Sequence, residues 1–171
     1  MKHINIEIKA KYTNQDKIRK LLHSTNAKFD GIDHQTDTYF RVNSGRLKLR
    51  EGNIENHLIF YEREEKTGPK QSNVILFKSD PSSSIKEILK RSLGILVVVD
   101  KQREIYWIDN VKFHLDTVQN LGTFVEIEAV DYNNNIGKEK LLEQCTTFMR
   151  KFGISEEDLL SVSYSDLLLQ K

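Results

Sequence analysis

Ile4-Asn5-Ile6-Glu7-Ile8-Lys9-Ala10-Lys11 alternates apolar with polar residues, which is the period-two pattern of a β-strand. Side chains two residues apart point to the same side of a strand, so Glu7, Lys9 and Lys11 share one face. Ionised groups of both signs therefore crowd one side of this strand, while aliphatic side chains cover the other. Where that charged face lies decides the fold.

Four later segments repeat the arrangement, at residues 46–50, 101–103, 111–116 and 124–129. A half-exposed sheet whose polar face meets water is the simplest account of such alternation. The charges here are segregated by sign, however, because Arg46, Lys48 and Arg50 are all cationic whereas Glu126 and Glu128 are both anionic. Segregated like charges on one face favour a surface that surrounds bound ions.

A closed barrel satisfies both faces of these seven or eight mostly antiparallel strands. Amphipathic helices would cover the aliphatic outside, and the ionised residues would line the interior. The pattern then predicts nine inward cations (Lys9, Lys11, Arg46, Lys48, Arg50, Arg63, Lys101, Arg103 and Lys112) against four inward carboxylates (Glu7, Asp116, Glu126 and Glu128). Such an interior should repel itself when empty and should bind a polyanion with a metal ion.

Local signals place the remaining elements. A helix should begin near Thr13 and a second should follow Pro81 and end near Gly94, while residues 66–71 should form a mobile loop. Strands are predicted at residues 37–42, 46–51, 58–63, 74–78, 97–99, 101–107, 111–118 and 123–130, and helical segments at 138–152, 156–160 and 164–169.

The composition bounds the class of protein. With 171 residues, 38% hydrophobic and 30% charged, the chain fits one compact domain over residues 1–171. Its 26 basic and 25 acidic residues nearly balance, so no bulk attraction to nucleic acid or to a membrane surface is expected. A lone Cys145 and the lack of a long apolar run predict a cytoplasmic protein without disulfides.

The interior residue types indicate phosphate chemistry. Carboxylates suit hard divalent cations such as Mg²⁺ or Mn²⁺, while arginine and lysine bind phosphate oxygens and neutralise charge during phosphoryl transfer. No serine or cysteine with an adjacent base is evident in the sequence. In-line attack by a metal-bound water or by a substrate hydroxyl is therefore the economical mechanism.

Short motifs occur in a fixed order along the chain: Glu7-Ile8-Lys9, Asp37-Thr38-Tyr39-Phe40, residues 47–51, residues 101–106, Leu115-Asp116 and residues 121–128. Together they resemble the CYTH superfamily, the triphosphate tunnel metalloenzymes, which includes class IV adenylyl cyclases, thiamine triphosphatases and inorganic triphosphatases. The resemblance covers nearly the whole chain. It implies an α+β fold, with an eight-stranded antiparallel closed β-barrel as the tunnel and helices packed outside.

The resemblance also implies roles for residues. Metal ligands would be Glu7, Glu126 and Glu128, and triphosphate ligands would be Lys9, Arg50, Lys101 and Arg103. Lys11 and Lys48 join the substrate-binding set from the charge pattern, and Arg63 substitutes for the tunnel lysine of the family's middle strand. Candidates for catalysis are Glu7, Lys9, Asp116 and Glu126, and Asp116 could also hold a second metal ion.

One position departs from the family signature Glu-x-Glu-x-Lys. When Glu7 and Lys9 are aligned with its second glutamate and its lysine, Asn5 stands where the first carboxylate belongs. In the alternative register Glu7 is the first glutamate, Lys9 replaces the second, and Lys11 is the lysine. We prefer the first register because it preserves the motif Ile-Glu-Ile-Lys. The loss of one carboxylate in this register puts the strength of a second metal site in question.

The predicted function is a metal-dependent triphosphatase whose substrate is ATP, thiamine triphosphate or tripolyphosphate. A class IV adenylyl cyclase is the alternative, and a noncatalytic binder of polyphosphate or of 5′-triphosphate RNA ends is a further one. The sequence also leaves open whether the protein forms a homodimer. Two residues have open roles: His114 is either an acid or phosphate contact or a partner of Asp116, and Trp107 either stacks on a base or packs at the end of the barrel.

Overall fold

The computed structural model describes residues 2–64 and 66–171. These residues form eight strands and four α-helices, joined by turns and loops. The strands are β1 (Lys2–Lys11), β2 (Lys28–Phe40), β3 (Arg46–Glu51), β4 (His57–Arg63), β5 (Lys70–Lys78), β6 (Ile95–Ile108), β7 (Val111–Val118) and β8 (Gly122–Asp131). The helices are α1 (Gln15–Ser24), α2 (Ile85–Leu93), α3 (Lys138–Phe152) and α4 (Tyr164–Leu169), with a 3-10 turn at Glu156–Asp158. No helix among these residues is long and apolar enough to cross a membrane.

The strands close into an antiparallel barrel in the order β1-β5-β4-β3-β2-β6-β7-β8, which confirms the predicted architecture. The closing pair is β1 with β8, where Glu7 lies opposite Glu128 and Lys9 lies opposite Glu126. The intervening residue Ile8 lies opposite Ile127 on the other face. Charged residues of both strands therefore share the inner face, as the period-two pattern requires.

Helices α1 and α3 cover the aliphatic outer face of the barrel. Ile18 and Leu22 from α1 pack with Leu141 and Phe152 from α3 against the outward side chains of β1, β7 and β8. Each fully buried aliphatic side chain contributes about 1.5–3 kcal/mol of burial free energy. Helix α1 is capped by Asn14 rather than by the predicted Thr13, because the Asn14 side chain accepts from the Lys17 amide.

The C-terminal segment closes one end of the barrel. The Tyr164 ring packs on Phe124 with centroids 4.9 Å apart, and its hydroxyl donates to Asp116 at 2.7 Å. Arg46 binds Asp166 at 2.9 Å, and the buried Lys70 ammonium donates to the backbone carbonyls of residues 160 and 161 at 2.8 Å. Arg46 therefore binds α4 instead of lining the interior as predicted. Strand β5 begins at Lys70 and so includes part of the predicted 66–71 loop.

Strand β2 begins at Lys28, well before the predicted start at Asp37. The added stretch contains Gly31 at a φ of 132° and a register shift between Phe29 and Gly31, so it lacks a clean alternating pattern. Pairing with β6 holds it in the sheet, because β6 is itself one continuous strand where two were predicted.

Asp33 anchors the loop between β3 and β4. Its wholly buried carboxylate accepts the backbone N–H groups of Ile54 at 2.8 Å and Glu55 at 3.0 Å. Gln35 donates to the same carboxylate at 2.8 Å and to Glu55 at 3.0 Å. A Cβ on Gly52 would lie 2.6 Å from an Asp33 oxygen, so only glycine fits there. The loop is thereby held so that Glu55 faces the barrel interior.

We predict that Asp33→Ala lowers the free energy of unfolding by about 2–4 kcal/mol, because buried N–H donors lose their acceptor. Urea denaturation followed by circular dichroism measures the change. Glu143→Ala, at an exposed site on α3, is the control and should shift the free energy by less than about 0.5 kcal/mol. Equal stability of the two variants would contradict the anchoring role.

Candidate functional site

A cavity of about 370 Å³ occupies the barrel and is lined by residues from all eight strands. Its volume lies within the range of sites for small molecules. Among the described residues, seven cations line it (Lys9, Lys48, Arg50, Arg63, Lys101, Arg103 and Lys112) together with five carboxylates (Glu7, Asp37, Glu55, Glu126 and Glu128).

Most of the residues predicted for the site therefore meet in this cavity, with three exceptions. Lys11, the last residue of β1, is exposed and does not line the cavity, so the prediction that it contributes to the interior is wrong. Arg46 lies at the closed end with α4. Asp116 is wholly buried and does not line the cavity, but it binds the guanidinium of Arg103, which does.

Arg103 organises the first of two ion clusters. It binds Asp116 through two nitrogens at 2.7 and 2.5 Å and Glu126 at 2.7 Å, while Lys9 binds Glu126 at 2.7 Å. Burial raises the pKa of Glu126, but Arg103 and Lys9 outweigh burial and hold that pKa well below its usual range. Glu126 is therefore ionised at physiological pH and already forms ion pairs with two cations.

His114 belongs to the same cluster but pairs differently from the prediction. Its Nδ1 lies 3.1 Å from Glu126, not from Asp116. Burial, reinforced by Arg103, lowers the pKa of His114 to about 3, so the ring is neutral at physiological pH. Its Nε2 is buried at the cavity wall, where residues 2–64 and 66–171 offer it no hydrogen-bond partner. The ring can thus hydrogen-bond a ligand but does not serve as a cationic contact.

Asp37 organises the second cluster, which the sequence did not predict. It receives two hydrogen bonds from Arg50 at 2.8 and 2.9 Å, one from Lys101 at 2.8 Å and one from Lys48 at 2.9 Å. Although burial opposes ionisation, these cations hold the pKa of Asp37 well below its usual value. Burial lowers the pKa of Lys101 to about 7. Asp37 thus brings three phosphate-binding candidates together.

Glu55 is the second carboxylate that sequence reasoning missed. It lies on the β3–β4 loop, where no strand periodicity reveals which way a side chain points, and it bridges Lys112 and Arg50. Asp37 and Glu55 join the lining, whereas Lys11, Arg46 and Asp116 do not belong to it. Among the described residues, seven cations therefore face five carboxylates rather than nine facing four. The predicted self-repulsion of the empty interior is therefore largely relieved by internal ion pairs.

Glu7 and Glu128 form the part of the site that best fits a divalent cation. They are cross-strand partners on the inner face, with Arg63 bound to Glu7 at 3.1 Å and the Asn5 amide donating to Glu128. Burial and the nearby Glu7 and Glu126 charges raise the pKa of Glu128. A bound cation would remove that electrostatic strain.

The described residues do not gather three acidic, histidine or cysteine side chains around one point. Mg²⁺ is commonly held by one or two carboxylates, with water and substrate phosphate completing its shell. The facing pair Glu7 and Glu128 matches that donor set. Glu126, the third predicted ligand, is turned toward Lys9 and Arg103.

Several buried polar atoms at the cavity wall have no protein partner. Within the described part of the chain these include Nε and Nη2 of Arg63, Oγ of Ser72, Oδ1 of Asn5 and Nδ1 of His3. Buried polar groups are nearly always hydrogen-bonded in native proteins. Their concentration in one cavity indicates that a polar ligand or water completes the site.

Comparison with known proteins agrees with this geometry. The family model described as the CYTH domain matches residues 3–164. The chain belongs to the CYTH domain family. A CYTH-type barrel with an ionised interior is the architecture that the sequence pattern predicted.

Three relatives illustrate the match. A protein of Methanocaldococcus jannaschii, named as a candidate adenylate cyclase, is 28% identical over 179 residues, which span 96% of this chain and 98% of the relative. A structure from Pyrococcus horikoshii is 27% identical and has a TM-score of 0.73, covering 95% of this chain and 98% of that one. At 15% identity, the structure of a candidate adenylyl cyclase from Hippeastrum, described as having a dominant triphosphatase activity, shares the fold with a TM-score of 0.61 over 98% of this chain and 94% of its own.

We predict that Glu128→Gln stabilises the ligand-free CYTH domain at neutral pH, because it removes a buried charge next to Glu7 and Glu126. A carboxyl whose folded pKa is raised contributes stability below its unfolded pKa, and that contribution is lost as pH rises through the folded pKa. The wild type should therefore lose stability on going from acidic to neutral pH more steeply than Glu128→Gln.

Thermal denaturation across that pH range, in EDTA, measures the difference. The control is Glu143→Gln, which neutralises an exposed glutamate on α3. A lower melting temperature for Glu128→Gln than for the wild type at neutral pH would show that the Glu128 charge is stabilising instead.

Proposed function

We propose that this protein is a divalent-metal-dependent triphosphatase that binds the phosphate chain of its substrate inside the barrel. The observation that carries the proposal is the placement of seven cations around one closed-ended cavity that also holds the facing carboxylates Glu7 and Glu128. Phosphoryl transfer requires mainly that phosphates be positioned and their charge neutralised, and this lining supplies both.

The cations have distinct parts in that mechanism. Two buried nitrogens of Arg63, Nε and Nη2, have no partner among the described residues, so they can donate to phosphate oxygens while Nη1 keeps its bond to Glu7. Arg103 and Arg50 are held in fixed orientations by Asp116 and Asp37, which preorganises their forks for anions. Lys9, Lys48 and Lys101 add point charges along the wall. Glu7 and Glu128 would hold Mg²⁺ or Mn²⁺, which would neutralise phosphate charge and activate water.

The inner end of the cavity limits how far a phosphate chain can enter. The Tyr164 ring closes this end, and the Lys9 ammonium lies 3.5 Å from its centroid. A terminal phosphate near Lys9 would also be near Arg103, since both cations contact Glu126. A linear triphosphate thus enters by the open end with its terminal phosphate leading, which favours hydrolysis at that phosphate.

Adenylyl cyclase activity is the second candidate, and the Methanocaldococcus relative is named for it. The two activities differ in which phosphorus is attacked: a water attacks the terminal phosphate in hydrolysis, whereas the ribose 3′-hydroxyl attacks the α-phosphorus in cyclisation. The cation set would serve either reaction, because it binds the phosphates that both substrates share.

The deciding experiment incubates the protein with ATP, thiamine triphosphate or tripolyphosphate, with Mg²⁺, with Mn²⁺ or with EDTA. Products are separated as phosphate, pyrophosphate and cyclic AMP. We expect metal-dependent release of phosphate without cyclic AMP. Equimolar cyclic AMP and pyrophosphate would establish the cyclase instead, and binding without turnover would establish a noncatalytic polyphosphate module.

We predict that Arg63→Gln lowers kcat/KM roughly 100-fold while leaving the fold intact, since it removes donors aimed at a developing negative charge. Steady-state kinetics and the circular dichroism spectrum measure the two effects. Arg91→Gln is the matched control, because Arg91 is exposed on α2 outside the cavity. Unchanged turnover in Arg63→Gln would remove Arg63 from the phosphate site.

A further inference from the structure

On the side of the barrel formed by β8, β1, β5 and β4, the lining of the cavity changes character from its closed end to its open end, whereas Arg50, Glu55 and Lys112 keep the other side ionised. On β1 the inward residues run from Lys9 and Glu7 to Asn5 and His3, and on β8 they run from Glu126 and Glu128 to Val130. Lys9 pairs with Glu126 near the closed end, whereas Asn5 pairs with Val130 closer to the open end. Ionised side chains thus give way to neutral ones along the same strands.

The next two strands of the barrel, β5 and β4, repeat this change. Inward residues on β5 run from Ser72 to Val74 and Leu76, and on β4 Arg63 gives way to Tyr61 and Ile59. Tyr132 follows β8 and Trp107 lies near the end of β6, and both line the cavity at its open end. We call these neutral residues the outer rim: His3, Val74, Leu76, Trp107, Val130 and Tyr132.

Phosphate chemistry does not account for the outer rim. Phosphate oxygens interact favourably with cations and hydrogen-bond donors, and aliphatic or aromatic walls offer neither. A tripolyphosphate held by the inner cations would leave this apolar surface in contact with water. An apolar surface with a few placed polar atoms is instead typical of a site for an organic group.

The polar atoms of the rim region point to the chemistry of that group. Asn5 donates its amide nitrogen to Glu128, which fixes the Asn5 carbonyl oxygen toward the cavity. That oxygen is buried and has no partner among the described residues. Phosphate oxygens are acceptors and cannot pair with it, whereas a hydrogen-bond donor on an organic group can.

His3 adds a second neutral contact. Its ring is nine-tenths buried, its Nδ1 has no partner in the described part of the chain, and its centroid lies 5.1 Å from that of Tyr132. Burial lowers the pKa of His3 to about 4, so the ring is uncharged at neutral pH. Lys112, the cation at this end, lies over the Trp107 ring at 5.2 Å and is already paired with Glu55.

We propose that the outer rim binds a planar heterocyclic group with hydrogen-bond donors, so that the substrate is an organic triphosphate rather than inorganic tripolyphosphate. This inference rests on the proposed function, which assigns the phosphates to the inner cations. The heterocycle packs on the Tyr132 and Trp107 rings and donates to the Asn5 carbonyl oxygen. The phosphate chain then reaches inward to Arg63 and Lys9.

The test compares kcat/KM for ATP, thiamine triphosphate and tripolyphosphate with Mg²⁺ at fixed ionic strength. Stacking of a base on an aromatic side chain corresponds to roughly tenfold in affinity or more. We therefore expect one or both organic triphosphates to exceed tripolyphosphate by about tenfold or more. Tyr132→Ala and Trp107→Ala should bring that ratio toward unity, because each should raise KM for the organic substrate more than KM for tripolyphosphate.

Phe77→Ala is the matched control, because Phe77 is an exposed aromatic residue of β5 that does not line the cavity. Tripolyphosphate used as well as both organic substrates would overturn the rim assignment and leave the triphosphatase intact. A preference that survives in both rim variants would also overturn it. Absence of all turnover would refute the proposed function, and the same ratio would then be taken from dissociation constants measured by calorimetry.

Discussion

The pairing of buried charges is the constraint on which this barrel depends. An ionised side chain that leaves water loses several kcal/mol of solvation, and only close counter-charges and hydrogen bonds recover it. Arg103 recovers it through Asp116 and Glu126, and Asp37 does so for Arg50 and Lys101. The interior can therefore be densely charged without a ligand, because its cations and carboxylates are interleaved across neighbouring strands.

This pairing shapes how a phosphate chain can bind. Most lining cations already contact a carboxylate, so phosphates must share or exchange existing partners instead of filling a positively charged void. The carboxylates differ in how firmly they are placed. Asp37 is buried on β2 and is bound by three cations, whereas Glu55 extends from a loop whose backbone Asp33 fixes. Exchange is thus easier at Glu55 than at Asp37, because fewer contacts hold its carboxylate.

Recognition of the ligand is divided along the barrel axis. The fold is shared with a solved structure at only 15% identity, so the barrel alone does not specify one substrate. Ionised residues near the closed end of the barrel suit the phosphates that all candidate substrates have in common. Under the proposed function, the neutral residues at the open end, such as His3 and Tyr132, would contact whatever distinguishes one triphosphate from another. Selectivity would then depend on the rim, and the capacity for phosphate chemistry on the inner clusters.

The sequence by itself determined the closed barrel and the face that each strand presents, because a period of two assigns alternate residues to opposite sides whatever their partners. Glu7, Lys9, Arg103 and Glu126 were predictable as interior residues for that reason. Only the tertiary structure decided the rest. Glu55 lies on a loop with no periodicity, and the partners of Asp37, Arg46 and Lys70 depend on strand stagger and on a C-terminal segment far away in the chain. Lys11 has the inward parity but lies at the end of its strand, where the wall of the barrel no longer encloses it. The height of a residue along the barrel axis depends on strand tilt and on the register of the whole sheet, and not on the local sequence pattern.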